Sequence, residues 1–251
     1  MKMTIEKAVE FARDENLGYK KHMDEHGVSM PSSVTFYSKE IDIPLMNVQI
    51  PPDLMEAPMK QIAHGSALAL GSFIGIDYVT ISTDTFISKV ENTEENKKKL
   101  EEGNSVRPSE DVEAQEAIMI LGVSKDGKVI NNINMYGRDD LGNMFFKEQH
   151  TVEHDLNDDK DNEFRSWMLD FSMSAFNGEE QFKKMDVDFD AESRLALLMG
   201  GMTSLAEMDY MFAFTEPLKD YFINQLGEEN VTDEMRNLIE EIFGTPTEDG
   251  E

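Results

Sequence analysis

The stretch AIMILGVSKDGKVINNINMY, residues 117–136, decides the fold prediction. Two runs rich in Ile, Val and Met, residues 117–123 and 128–136, flank Asp126-Gly127, a dipeptide typical of tight type I′ hairpin turns. A third run at residues 144–152 extends the hairpin into a meander. Strands joined by tight turns rather than by crossover helices predict an antiparallel sheet.

Helical patterns lie on both sides of this meander. Thr4 is placed to cap a first helix that ends near Gly27, and residues 55–73 carry apolar side chains at helical spacing. A long helix from Asp190 through Met211 and two shorter helices follow the meander. We therefore predict an α+β fold, with an antiparallel β meander packed against helices and a helical C-terminal region.

The order of these patterns predicts one main domain. We expect residues 1–189 to form an α+β domain, from which residues 91–112, rich in Glu and Lys, project as a charged surface excursion. We expect residues 190–244 to form a C-terminal helical region packed on the same core. Residues 245–251 are expected to be a disordered tail.

Composition restricts the classes of partner. The chain has 251 residues, no cysteine and a formal net charge of −28, from 51 acidic and 23 basic side chains. This charge repels nucleic-acid phosphates and attracts basic protein surfaces, so we expect a basic protein partner and no direct nucleic-acid binding. No run is long and apolar enough for a membrane span or a signal peptide, which predicts a cytoplasmic location without membrane contact.

Two segments match the H-x-x-E-H pattern of inverted zincins, His22–His26 and His150–His154. On a helix, His22 and His26 could bind one zinc ion beside Glu25 as the general base. His150 and His154 end a predicted strand, where residues four apart are separated by about 13 Å and cannot bind one ion together. A site shared between the two segments stays open. The preferred interpretation is exposed imidazoles without a cofactor, and zinc is the alternative.

Two further patterns suggest chemistry that their neighbours do not support. Asp155, Asn157, Asp159 and Asp161 alternate as the ligands of a calcium loop do. Lys160 and Ser166 stand where such a loop needs Gly and Glu, so we expect a solvated turn. His64-Gly65-Ser66 invites a nucleophilic interpretation, but adjacent residues do not make a catalytic triad, and we expect His64 to be buried in a helix.

One segment resembles proteins from viruses of bacteria. It runs from Asp84-Thr85-Phe86 through Pro108-Ser109-Glu110-Asp111 to Glu116-Ala117-Ile118-Met119 and the Asp126-Gly127 turn. This segment is similar to part of a group of uncharacterised tailed-bacteriophage proteins. The resemblance implies a viral setting in the host cytoplasm and implies no catalytic or binding residues.

The sequence as a whole predicts a non-enzymatic acidic accessory or interaction protein that binds a basic partner. DNA mimicry by spaced carboxylates is a special case of this hypothesis. One alternative is a metal-dependent hydrolase that uses the two histidine pairs. The other alternative is a structural virion component, which would form a defined homo-oligomer.

Overall fold

The computed structural model describes residues 2–55, 59–87, 114–157, 167–177, 180, 183–184 and 189–244. Helices in these ranges are α1 (Ile5–Glu25), α2 (Met59–Ile74), α3 (Trp167–Ser174), α4 (Ala191–Ala206), α5 (Leu218–Leu226) and α6 (Asp233–Phe243). The strands are β1 (Ser32–Tyr37), β2 (Met46–Ile50), β3 (Tyr78–Ile87), β4 (Gln115–Ser124), β5 (Lys128–Arg138), β6 (Met144–Asp155) and β7 (Met211–Phe214). Short 3₁₀ turns occur at Pro52–Met55 and Glu228–Asn230.

All seven strands form one sheet in the order β6-β5-β4-β3-β1-β2-β7, and each neighbouring pair is antiparallel. The predicted α+β class and the antiparallel meander are confirmed, because β4, β5 and β6 pair in chain order. The three strands of the meander and the adjacent strand β3 make up four of the seven strands. The other three strands, β1, β2 and β7, join it from distant parts of the chain.

The hairpin between β4 and β5 differs from the predicted type I′ turn. That turn needs positive φ at both central residues. In this loop only Gly127 has a positive φ, of 94°. Lys125, Asp126 and Gly127 together form a three-residue loop, closed by a hydrogen bond from the Gly127 amide to the Ser124 carbonyl. The Asp-Gly pair therefore predicted the hairpin correctly and its turn type wrongly.

Helix α1 covers one face of the sheet. Its side chains Ile5, Val9 and Ala12 pack against Ile118, Ile120 and Ile130 of β4 and β5. Thr4 caps the helix as predicted, and Gly27 ends it with a φ of 66°. The helix lies close to β4 because Gly122 has no side chain, and a Cβ atom at this position would overlap Val9.

The opposite face of the sheet carries the main core. Helix α2 packs there with α3 and α4, and the apolar side chains of α5 and α6 belong to the same cluster. Phe243 of α6 makes edge-on contacts with Phe214 of β7 and Phe222 of α5. The side chains of residues 190–244 thus share one core with β1, β2 and β3.

The long helix predicted from Asp190 through Met211 ends earlier than expected. Asp190 caps α4 through its side chain, but the helix stops at Ala206, because Asp209 adopts a φ of 63° and reverses the chain. Amide groups of Asp209 and Tyr210 bond back to the carbonyls of Ala206 and Leu205, the pattern of a Schellman cap. Met211 then begins strand β7 instead of extending the helix.

Two predictions fall outside the described residues. These are the charged excursion at residues 91–112 and the tail at residues 245–251.

Candidate functional site

The start of β1 leaves a cavity at one end of the sheet. β1 and β3 pair from Ser33↔Ser82 to Tyr37↔Tyr78, whereas β3 continues to Ile87 beside β4. The cavity that results has a volume of about 230 Å³. It is lined by Ser29, Met30, Ser32, Pro52, Met55, Thr83, Asp84, Thr85, Phe86, Glu116 and Tyr136, and is called the β1–β3 cavity below.

A buried ion pair lies beside the cavity, and its carboxylate, Asp84, is part of the lining. The ammonium group of Lys20 on α1 lies 2.6 Å from the Asp84 carboxylate, and the side chains of Lys20 and Asp84 are only 7% and 24% exposed. The same ammonium lies 5.0 Å from the centre of the Tyr136 ring, within the range of a cation–π contact. Lys20 reaches this position because it continues the buried stripe of α1 that includes Ala12 and Asn16.

The hydroxyl of Tyr136 connects two carboxylates. It donates a hydrogen bond of 2.8 Å to Asp84 and lies 3.4 Å from Glu116, which is opposite Phe86 in the β3–β4 register. Burial and the negative charge of Asp84 raise the pKa of Tyr136 well above its usual range. The hydroxyl therefore keeps its single proton, which is directed mainly to Asp84 because that contact is the shorter one.

The charges around the cavity do not balance. Lys20 pairs with Asp84, and Arg138 pairs with Asp24 near the end of α1. The Arg138 contact lowers the pKa of Asp24. Within the described ranges, the half-buried carboxylate of Glu116 makes no ion pair; it has the long contact to Tyr136 and a longer-range attraction to Arg138, which is paired with Asp24. The cavity thus keeps one excess negative charge.

Ser32 and His64 meet behind the cavity. The Ser32 Oγ lies 2.9 Å from Nε2 of His64 and donates a 2.8 Å hydrogen bond to the Ser82 carbonyl. Nδ1 of His64 carries a proton, because it bonds to the Lys60 carbonyl, which can only accept. Burial lowers the pKa of His64. The exposed fractions of His64 and Ser32 are 0% and 2%, and their contact connects α2 to the sheet.

The two histidine pairs lie on opposite faces of the sheet. His22 and His26 end α1, with ring centres 4.5 Å apart, and Nδ1 of His26 bonds to the His22 carbonyl. His150 and His154 pair with Ile133 and Val129 of β5, positions that face away from α1. His150 contacts Glu148 at 3.2 Å. Glu25, the proposed general base, is exposed beside His26.

No cluster of three or more potential ligand residues in the described ranges could hold a metal ion. A site shared between the two histidine segments does not form in this arrangement, because the sheet separates them. In the proposed calcium loop, Asp155 accepts a 2.8 Å hydrogen bond from the Asn157 amide, as in a turn, while Asp159 and Asp161 lie outside the described residues. The zinc and hydrolase alternatives stay predictions.

A second feature is an acidic surface on the C-terminal elements. Residues 207–244 contain ten acidic side chains, all of them exposed, and two basic ones, Lys219 and Arg236. The acidic residues are Glu207, Asp209, Glu216, Asp220, Glu228, Glu229, Asp233, Glu234, Glu240 and Glu241, called the C-terminal acidic surface below. Lys219 is engaged with Glu240 at 2.8 Å.

The charges of α1 are arranged differently. Arg13 lies 2.7 Å from Asp14 and 3.6 Å from Glu10, and Lys128 of β5 pairs with Glu6. The contact with Lys128 is the main reason why the pKa of Glu6 falls to about 2. Glu6, Glu10 and Asp14 of α1 therefore have cations nearby, whereas most carboxylates of the C-terminal acidic surface do not.

The residues of the cavity were not predicted as a site. Lys20 lies four residues after Asn16 on the buried stripe of α1. Asp84 stands where the alternation of β3 places a side chain against α1. These two signals were present in the sequence, but the meeting of Lys20, Asp84 and Tyr136 depends on pairing between distant segments.

Among the described helices, none combines the length and the apolar character needed to cross a membrane. No protein family model, no curated protein and no solved structure matches this chain.

Proposed function

We propose that this protein is a non-enzymatic binding protein whose C-terminal acidic surface holds a basic protein partner. The observation that carries the proposal is the set of ten exposed carboxylates on residues 207–244, with two basic side chains among them. Carboxylates without nearby cations produce a negative potential that extends from the surface and attracts cations. This attraction speeds encounter with a basic partner and orients it.

Two observations favour binding over catalysis. Ser32 and His64, which stand at hydrogen-bond distance, are 2% and 0% exposed, so the contact between them is closed to solvent. The second observation is that cations stand beside carboxylates of α1, whereas few stand among the C-terminal carboxylates. A uniformly acidic protein would not need this uneven distribution, which therefore supports a localised function. The proposed setting is the cytoplasm of a bacterial cell infected by a tailed phage, as the resemblance of residues 84–127 implies.

The proposal is tested with a synthetic lysine- and arginine-rich peptide, with an acidic peptide of equal length as the negative control. Two variants each remove four negative charges; the charges differ in location, and two of those in the second variant stand beside Arg13. The first carries Glu207→Gln, Glu216→Gln, Glu228→Gln and Glu229→Gln. The second carries Glu10→Gln, Asp14→Asn, Glu25→Gln and Glu148→Gln.

We expect the first variant to bind the basic peptide at least about tenfold more weakly, equivalent to about 1.4 kcal/mol, and the second to lose much less. Calorimetry or fluorescence anisotropy at low ionic strength measures both affinities. Equal weakening in the two variants would show attraction by net charge without a localised surface. Absence of peptide binding by the unmodified protein would reject the proposal directly.

A further inference from the structure

Two residues that line the β1–β3 cavity, Asp84 and Tyr136, already contact one cation of the protein. The ammonium of Lys20 contacts the Asp84 carboxylate at 2.6 Å and the face of the Tyr136 ring at 5.0 Å. A carboxylate and an aromatic face are the two kinds of group that bind organic cations most effectively in proteins. Lys20 approaches from α1 and satisfies Asp84, but it leaves Glu116 on the same wall without an ion-pair partner among the described residues.

The open part of the cavity repeats this combination. Glu116 and Phe86 stand opposite each other in the β3–β4 register, and both line the cavity. The Phe86 side chain is 46% exposed, so its ring is accessible to a ligand. Met30 and Met55 add apolar surface that suits an alkyl chain. The cavity thus offers a carboxylate, an aromatic ring and an apolar wall within one small volume.

The size of the cavity selects a small group. About 230 Å³ corresponds to roughly eight water molecules at liquid density, which is close to one long amino-acid side chain and below the usual range for drug-sized ligands. One excess negative charge matches one positive charge on the ligand. A large cofactor exceeds this volume, and a polyvalent cation exceeds this charge.

A second, apolar cavity lies between the β1–β3 cavity and Asp209 of the C-terminal acidic surface. It is also about 230 Å³, shares Ser29 and Pro52 with the β1–β3 cavity, and reaches Asp209 and Met211 on its other side. Asp209 is one of the ten carboxylates of the C-terminal acidic surface. A partner that contacts Asp209 therefore stands across this apolar cavity from the β1–β3 cavity.

We propose that the β1–β3 cavity binds one cationic side chain, arginine or lysine, of the basic partner. The inference rests on the proposed function and adds a specific anchor to it. Glu116 neutralises the guanidinium or ammonium group, Phe86 contacts its face, and Met30 and Met55 pack against the alkyl stem. Lys20 keeps Asp84 neutralised, which limits the cavity to a single bound cation.

The test uses single amino-acid derivatives, which are too small to span the acidic surface. Nα-acetyl-arginine methylamide and Nα-acetyl-lysine methylamide are titrated into the full-length protein, with the neutral citrulline derivative as the control. Amide signals of Phe86 and Glu116 in NMR spectra report the site of binding. We expect saturable binding of a cationic derivative in the millimolar range and no binding of the citrulline derivative.

Three variants locate the interaction. Glu116→Gln should weaken binding of the cationic derivative at least about tenfold, and Phe86→Leu should weaken it severalfold. Glu153→Gln, a matched change at an exposed position of β6, should leave it unchanged. Because Glu116 has no ion pair among the described residues, its substitution should preserve the fold, which urea denaturation checks.

The outcomes separate this inference from the proposed function. Failure of every cationic derivative to bind, equal binding of citrulline, or an unchanged affinity in Glu116→Gln overturns the cavity as an anchor. The peptide experiment on the C-terminal acidic surface does not depend on Glu116. Peptide binding that survives these failures leaves the proposed function intact, whereas derivative binding without peptide binding retains the cavity and rejects the acidic surface.

Discussion

The ammonium group of Lys20 lies inside the protein, between a carboxylate and an aromatic ring. Removing an ammonium from water is costly, and the Asp84 carboxylate offsets that cost only while both charges are present. Tyr136 contributes a hydrogen bond to the same carboxylate, so three elements, α1, β3 and β5, meet at one polar point. This point fixes the end of α1 against the sheet.

Substitution of one partner tests how strongly the buried pair holds α1. We expect Lys20→Met to lower the free energy of unfolding by about 2–4 kcal/mol, because Asp84 would keep its charge in a mostly enclosed position. Lys39→Met is the matched control, since Lys39 pairs with Asp77 at 3.3 Å while its side chain is 59% exposed. That change should cost much less than Lys20→Met, because water screens an exposed pair.

Urea denaturation of both variants at neutral pH gives the two values. A loss in Lys20→Met no larger than that in Lys39→Met would contradict the stabilising role of the buried pair. An increase in stability would show that Met, packed in place of Lys, is preferred at this position.

Sequence reasoning could identify individual residues where the signal was local. Thr4, Asp190 and Gly27 were assigned as helix ends from their chemistry alone, and the structure confirms each of them. His64 is buried as expected. The contact of His64 with Ser32 could not be predicted, because it joins residues that are 32 positions apart through the packing of α2 on the sheet.

At the scale of elements, α1 and β4 approach each other most closely at Gly122. Any side chain at this position would meet Val9 and Ile5 on the facing side of α1. Both of these residues are buried in the cluster between the helix and the sheet, so they have little space into which they could move. The distance between helix and sheet is therefore set by the absence of one methyl group.

A single added methyl group should separate these elements. We expect Gly122→Ala to lower the free energy of unfolding by about 1–3 kcal/mol through overpacking. Gly18→Ala is the control on the same helix, because a Cβ atom there meets no heavy atom within 4 Å. Alanine is the better helix former, so Gly18→Ala should raise stability by about 0.5–1 kcal/mol.

The opposite signs of these two effects make the comparison informative in chemical denaturation. Stabilisation by Gly122→Ala would mean that α1 is free to move away from β4. Destabilisation by Gly18→Ala would mean that the exposed side of α1 is covered in solution.

Elements were predictable where neighbouring residues determine them. The β4–β5–β6 meander follows from short-range alternation and turn residues, so the sequence indicates it directly. Strand β7 was mistaken for part of a helix, because Met208 and Met211 continue the helical spacing of α4. Its pairing with β2, across more than 160 residues, overrides that local pattern.

At the scale of the whole molecule, electrostatic repulsion opposes folding. A net charge of −28 on a compact chain raises the energy of the folded state relative to the more expanded unfolded state. The exposed carboxylates of the C-terminal acidic surface contribute to this repulsion, since few cations lie among them. Dissolved salt screens the repulsion.

Added salt should therefore stabilise this protein. Between about 10 mM and about 150 mM NaCl the screening length falls from about 30 Å to about 8 Å, and we expect the thermal midpoint to rise by several degrees. The variant with four glutamines on the C-terminal acidic surface should show a smaller rise. Differential scanning calorimetry measures both slopes, and a midpoint that is constant or decreases with salt would indicate that attractive ion pairs dominate.

The position of β7 has a consequence for synthesis on the ribosome. The six strands from β1 to β6 have emerged once residue 155 leaves the exit tunnel, but β2 lacks its outer neighbour until residues 211–214 follow. During this interval the nascent sheet has an unpaired edge at β2, and the apolar residues of α2 await the side chains of α4 and α5. The newborn chain thus passes through a stage in which chaperone binding or self-association competes with completion of the sheet.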